Sequence, residues 1–227
     1  MARALETHRD RLRAVFAERL FARAPRSVLD VGCGAGALLA ACAERGVFAV
    51  GIEPDARGAA SGARVLRADG ARLPFAPASF EWVSLRHVPH HLRAPREAFA
   101  EAWRVASRGL LIAEPWFDEA DPHQRLALRA DRFLKRVDRR RGAFDADCLD
   151  EQELRALLPE PSARVEAERV PAGGTATLEV LEAQLAEVLR GTAVLPEERD
   201  ELEVLREHAR RGHLGLNGSL ILAVRRA

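Results

Sequence analysis

An α/β fold with a doubly wound, parallel sheet is what this chain of 227 residues predicts, on three observations. Short apolar runs of strand length recur through its first half, at 27–31, 47–52, 64–68, 80–85 and 109–113. Helical patterns separate most of these runs, and strand–helix alternation at this rhythm means parallel βαβ units. The first run leads directly into Gly32-Cys33-Gly34-Ala35-Gly36, three glycines within five residues. Glycines so spaced let the backbone bend sharply and approach a ligand closely. The helix behind such a turn offers unpaired N–H groups and a positive dipole end.

The elements follow in order. Residues 2–23 set Leu5, Leu12, Val15, Phe16 and Leu20 among charges, an amphipathic helix stopped before Pro25. After the first strand and its glycine turn, a helix runs through Glu44 and ends at Gly46. The second strand, 47–52, is apolar enough to be buried on both faces and ends in Glu53-Pro54-Asp55. A stretch of small residues leads to the third strand, 64–68, which closes on Asp69-Gly70. Leu73-Pro74-Phe75 begins the connection to the fourth strand, and Ala94-Pro95 opens a helix with Phe99, Ala102, Trp103 and Ala106 inward. The fifth strand ends in Glu114-Pro115.

Beyond that point the pattern turns helical. Asp121-Pro122 starts a helix with Leu126, Ala130, Phe133, Leu134 and Val137 on one face. Asp150 and Glu153 make a capping box before Leu154. A sixth strand is expected at 164–170, helices at 175–190 and 196–211, and a last strand at 220–224. Pro196, Glu197 and Glu198 suit the start of the second of these helices. The chain reads as a single domain, 1–227. Its core is expected at about 25–115, 147–170 and 216–225, and its helical cap at 2–23, 118–141 and 175–211.

A net charge of +1 leaves no basic footprint for nucleic acid. Cys33, Cys42 and Cys148 sit at no metal-ligand spacing, so no metal is expected, and their odd, low count suits reduced thiols. No apolar run approaches the roughly 20 residues of a membrane span, and the start of the sequence lacks the apolar core of a signal peptide. A cytoplasmic monomer or homodimer, without a membrane or nucleic-acid partner, is the expectation. Lys135 is the only lysine. The basic run 135–141 reads as a solvated helix face.

Two ligand classes use such a glycine turn. Gly32, Gly34 and Ala37 fit a dinucleotide fingerprint, with Glu53 at a plausible distance for a ribose hydroxyl. Asp30 speaks against it, because a carboxylate beside a pyrophosphate repels it, whereas one beside an ammonium group attracts it. The ligand expected is adenosine-bearing, free of phosphate and positive at one end.

Val28-Leu29-Asp30-Val31-Gly32-Cys33-Gly34-Ala35-Gly36 resembles motif I of the class I S-adenosylmethionine-dependent methyltransferases. The blocks from Ala68 to Phe75 and from Ser79 to Val83 are similar to the family's next ones, and His90-His91-Leu92 falls where many small-molecule members have such a triplet. The likeness runs from about residue 25 to 115 and weakly through 147–170. It implies a Rossmann-like sheet of seven strands, the last antiparallel, and methyl transfer from S-adenosylmethionine to a small-molecule substrate by in-line displacement, leaving S-adenosylhomocysteine. It implies that Gly32, Gly34 and Gly36 shape the turn under the methionine part, with Asp30 near its ammonium group and Cys33 within the turn. Glu53, followed by Pro54, would take the ribose hydroxyls. Asp69 and Gly70 would meet the adenine, and Arg86 and His87 would line the sulfonium end. Glu81 departs from the family's usual aspartate.

Each assignment has a plainer counterpart. Asp30 suits a turn cap, Glu53 a solvated strand end, and Asp69-Gly70 an ordinary turn. His90 and His91 suit proton removal from an acceptor, and equally the hydrogen bonding of a loop. A nicotinamide-dependent oxidoreductase and a non-catalytic binding module of the same fold remain the alternatives. Nucleic-acid methylation is disfavoured, since 84–89 lacks an Asn/Asp-Pro-Pro-aromatic signature.

Overall fold

The computed structural model describes residues 2–54, 64–142, 144–190 and 192–226; Asp55 and the small-residue stretch after it lie outside them. The strands are β1 (Ser27–Val31), β2 (Phe48–Ile52), β3 (Val65–Leu66), β4 (Phe80–Arg86), β5 (Ala106–Trp116), β6 (Arg164–Val170), β7 (Thr175–Ala176), β8 (Leu214–Gly215) and β9 (Gly218–Arg225). The helices are α1 (Ala2–Phe21), α2 (Ala37–Glu44), α3 (Pro95–Val105), α4 (Pro122–Arg140), α5 (Glu151–Leu157), α6 (Leu178–Val188) and α7 (Arg199–Arg210). Seven strands form one sheet in the order β3-β2-β1-β4-β5-β9-β6. The pairings from β3 through β5 are all parallel. β9 runs antiparallel, its Val224 end lying against Gly109 near the start of β5. The parallel part of the sheet is that expected from strand–helix alternation, and the seven strands with an antiparallel last one are those that the resemblance implied.

The chain divides into two compact units. One comprises residues 13–114, 149–168 and 220–227 and holds most of the sheet. Its central strands β1, β4 and β5 are buried on both faces: Val28, Leu29, Trp82, Val83, Leu85 and Leu110 through Ala113 are all 1% exposed or less. Each large apolar side chain so buried contributes roughly 1.5–3 kcal/mol. Where the parallel strands begin, Glu81 replaces the family's aspartate and uses its extra reach. Its carboxylate accepts the Arg26 N–H at 2.9 Å, the Arg26 Nε–H at 2.8 Å and an Arg108 guanidinium hydrogen at 3.1 Å. Those bonds, the backbone one foremost, pull its carboxyl down to about 2.

The other unit gathers 1–12, 115–148 and 169–219. Phe133, Val137, Leu181, Leu185, Leu202 and Leu205 are at most 2% exposed and make its apolar centre. Much of the basic run on α4 is internally paired. Arg136 meets Glu201 at 2.6 Å, Arg141 meets Asp138 at 3.0 Å, and Arg140 pairs with Glu198.

Several boundaries differ from the sequence reading. Residues 175–176 are not helical: they pair with β8, and Thr177 caps α6 by accepting the Val180 N–H. Ala106 is not on the helix; it starts β5 opposite Phe80. β5 runs on through Glu114 to Trp116, β3 shortens to two residues, and 196–198 form a 3-10 turn before α7. The Asp150–Glu153 capping box is present as expected.

Candidate active site

The glycine turn joins β1 to α2, and φ angles of +68°, +52° and +83° put Gly32, Gly34 and Gly36 in the left-handed region. Side chains rarely adopt that conformation. At Gly32 space also decides: a Cβ there would stand 2.4 Å from Val88 Cγ2. The turn therefore lies directly against the segment that follows β4. Cys33 fills the room above Gly51 of β2, where an added Cβ would meet its Sγ at 2.5 Å.

Two cavities share Gly32. The smaller, about 150 Å³, is lined by Asp30, Gly32, Cys33 and Arg86, by the first residues of α2, and by Arg13 and Phe16 of α1. Asp30 is the one charged residue in a strand otherwise apolar after Ser27, and it is 5% exposed. Its Oδ1 accepts the Ser84 hydroxyl hydrogen at 2.5 Å. Burial pushes its carboxyl up to about 6, against the opposing pull of Ser84 and Arg86. A carboxylate placed at that cost, in a cavity with two guanidinium groups, matches a ligand carrying both an ammonium and a carboxylate.

The larger cavity, about 760 Å³, is lined by Val31, Gly32, Glu53, Pro54, Asp69, Gly70, His87, Val88 and His91, among others. The C-terminal ends of β1, β2 and β4 thus converge on it, the usual place for a ligand in an open parallel sheet. Glu53 does more than end a strand. Its Oε2 accepts the Gly34 N–H at 2.9 Å, so the chain's own carboxylate takes a turn amide that a phosphate would need. Asp69 Oδ1 accepts the Ala71 N–H at 2.9 Å, so the turn reading of Asp69 holds while the residue also lines the cavity. His87 has φ +55° and donates its N–H to the Ala113 carbonyl at 2.7 Å. A non-glycine residue in that region is uncommon, as at Ala24 and Ala78, and His87 is the one of the three that lines this cavity.

The two histidines separate. His91 is exposed and lines the larger cavity. His90 is 5% exposed and Glu114 fully buried, with His90 Nδ1 lying 2.8 and 2.9 Å from the two Glu114 oxygens. The rings of His90 and His91 pack at 4.1 Å between centroids. Glu114 also accepts the Leu149 N–H at 3.2 Å.

Sequence reasoning assigned no role to Arg13 or Glu114. Arg13 sits one position off the apolar stripe of α1 and gives no local signal. Glu114 had one: it closes an apolar strand, the pattern that singled out Glu53.

Residues 29–113 match the family model described as a methyltransferase domain. That segment is similar to the methyltransferase domains of this family. An uncharacterized methyltransferase of Mycobacterium sp. strain JLS is 38% identical over 96 residues, covering 40% of this chain and 35% of that protein. One from Mycobacterium avium is 39% identical over 94 residues, covering 38% and 37%. The chain spans about a third of the length of the curated relatives it matches. Among solved structures, the YcgJ protein of Bacillus subtilis superposes with a TM-score of 0.64 at 18% identity, over 94% of this chain and 99% of that one. An S-adenosylmethionine-dependent methyltransferase of Archaeoglobus fulgidus gives 0.56 at 17%, over 93% and 94%. Those likenesses extend the methyltransferase fold beyond the matched segment. Among the described residues, no helix is long and apolar enough to cross a membrane.

Proposed function

We propose that the chain transfers a methyl group from S-adenosylmethionine to a small-molecule acceptor. The observation that carries this reading is that a buried acid and two arginines line the smaller cavity together, directly beside the glycine turn. Asp30 would hold the cofactor's ammonium group, and Arg13 and Arg86 its carboxylate. Glu53 and Pro54 would meet the ribose, and Asp69 and Gly70 the adenine, in the larger cavity. When bound, the cofactor supplies an activated methyl group, which the acceptor's nucleophile takes in line with the breaking sulfur–carbon bond.

The protein's part is to orient and desolvate. Gly32 lines both cavities, so it would lie beneath the junction of the cofactor's methionine and adenosine parts. Such positioning is worth roughly 7–11 kcal/mol of barrier. A proton leaving the acceptor passes to an imidazole: His91 lines the cavity, and His90 behind it is held by Glu114. The dinucleotide alternative fits less well, because Glu53 already occupies the Gly34 amide and Asp30 lies next to the turn.

Calorimetry separates the readings. S-adenosylhomocysteine is expected to bind and NADH not to, while Asp30→Ala and Glu53→Ala remain folded and each lose about ten-fold or more in affinity for the former. Binding of NADH alone would overturn the reading. So would unaltered affinity in both variants.

A further inference from the structure

Lys135 is the single lysine among the chain's 35 lysine and arginine residues. It stands on α4 between the fully buried Phe133 and Val137 and is itself only 6% exposed. Its Nζ lies 2.8 Å from Sγ of Cys148 and 3.2 Å from Oδ2 of Asp131, one helical turn earlier. The same Asp131 oxygen is 3.8 Å from the sulfur. Elsewhere on this helix arginine serves for ion pairs, as Arg129 and Arg136 do with Glu201. At this one place the compact amine stands on a thiol, and it offers chemistry that a guanidinium does not.

We propose that Lys135 and Cys148 are a modification site, joined on oxidation by one oxygen atom into a covalent Nζ–O–Sγ bridge, with dioxygen as the oxidant. The separation is short enough for a single bridging atom. The O–O bond of dioxygen breaks; one oxygen forms the S–O and O–N bonds. The Cys148 S–H and one Lys135 N–H break, and their hydrogens leave with the second oxygen as water. Sulfur and nitrogen are oxidised, and the electrons they give up are those that reduce dioxygen. Asp131, within reach of both groups, relays the departing protons.

The site is also selected among the thiols. Cys33 and Cys42 are buried, and their burial pushes their thiols up to about 12 and about 11, which suppresses the reactive thiolate. Cys148 is only partly buried. Its segment is already held to α4, with an Arg139 guanidinium hydrogen on the Asp145 carbonyl at 2.8 Å and Arg132 Nε 3.5 Å from Asp147. The bridge makes that attachment covalent and reversible.

Peptide mass spectrometry of wild-type protein held in air-saturated buffer tests this. The expected product links the peptides of Lys135 and Cys148, with one oxygen gained and two hydrogens lost. Alkylation of Cys148 and acylation of Lys135 should both fall about ten-fold, while Cys33 and Cys42 are unchanged. Dithiothreitol restores both reactivities, which separates the bridge from methylation of Lys135, a change that survives reduction. Lys135→Arg and Cys148→Ser should give no linked product. A Cys148 that stays freely alkylatable in air overturns the proposal, as does one oxidised to sulfinic acid with Lys135 still open to acylation.

Discussion

Asp30 shows what one side chain costs and returns. Its folded-state carboxyl is raised to about 6 by burial. The stability it contributes is therefore fully present below its ordinary value near 3.8 and is lost as pH rises through about 6. Asp30→Asn should be the more stable protein at about pH 8, by up to about 3 kcal/mol, with the advantage vanishing near pH 4. Urea denaturation at a series of pH values reads this directly; a variant less stable at high pH would refute the assignment. Wild-type affinity for S-adenosylhomocysteine should weaken as pH falls through about 6, because protonation removes the partner of the ligand's ammonium group. Asp30 and Glu53 were legible in the sequence because each stands out locally, a lone acid in or just after an apolar strand. Arg13 was not, because its place in the cavity comes from packing between α1 and residues well downstream.

At the scale of elements, the glycine turn separates two physical demands. Gly32 needs both a left-handed backbone and the absence of a side chain against Val88, whereas Gly34 needs only the first, having open space where its Cβ would go. Gly32→Ala should cost about 1–3 kcal/mol or more, and Gly34→Ala about 1–2 kcal/mol. Equal losses in paired denaturation curves would remove the contact with Val88 as the reason. The regular elements were legible where caps and apolar runs are local: β1 and β6 have their expected bounds, and Asp150 starts α5. The sequence misjudged 175–176 because pairing with β8 is a contact across some forty intervening residues, invisible to periodicity. β5 outgrew its apolar run because its ends, Ala106 and Trp116, gain their places from the sheet.

At the scale of the molecule, ligand binding couples to folding. A ligand present at about 100 times its Kd stabilises the native state by about 2.7 kcal/mol. For a chain of this size that is a rise in Tm of roughly 5–10 °C. S-adenosylhomocysteine should produce such a rise in a thermal melt and NADH none; the opposite ranking would count against the proposed cofactor. The parallel half of the sheet was readable because alternation of strands and helices dictates it. That the last strand runs antiparallel was implied only by likeness to the methyltransferases, and its insertion between β5 and β6 was not foreseen, since no local pattern tells a strand which neighbours it will insert between.

That insertion has a consequence for the order of folding. β6 joins the sheet only through β9, and β9 is later in sequence than every other strand of that sheet. Until residues 218–225 emerge, the exposed edge of β5 and the whole of β6 wait unpaired, each a template for stray association with another nascent chain. Completing this sheet therefore requires one late, almost wholly buried strand to enter between two neighbours that were made before it.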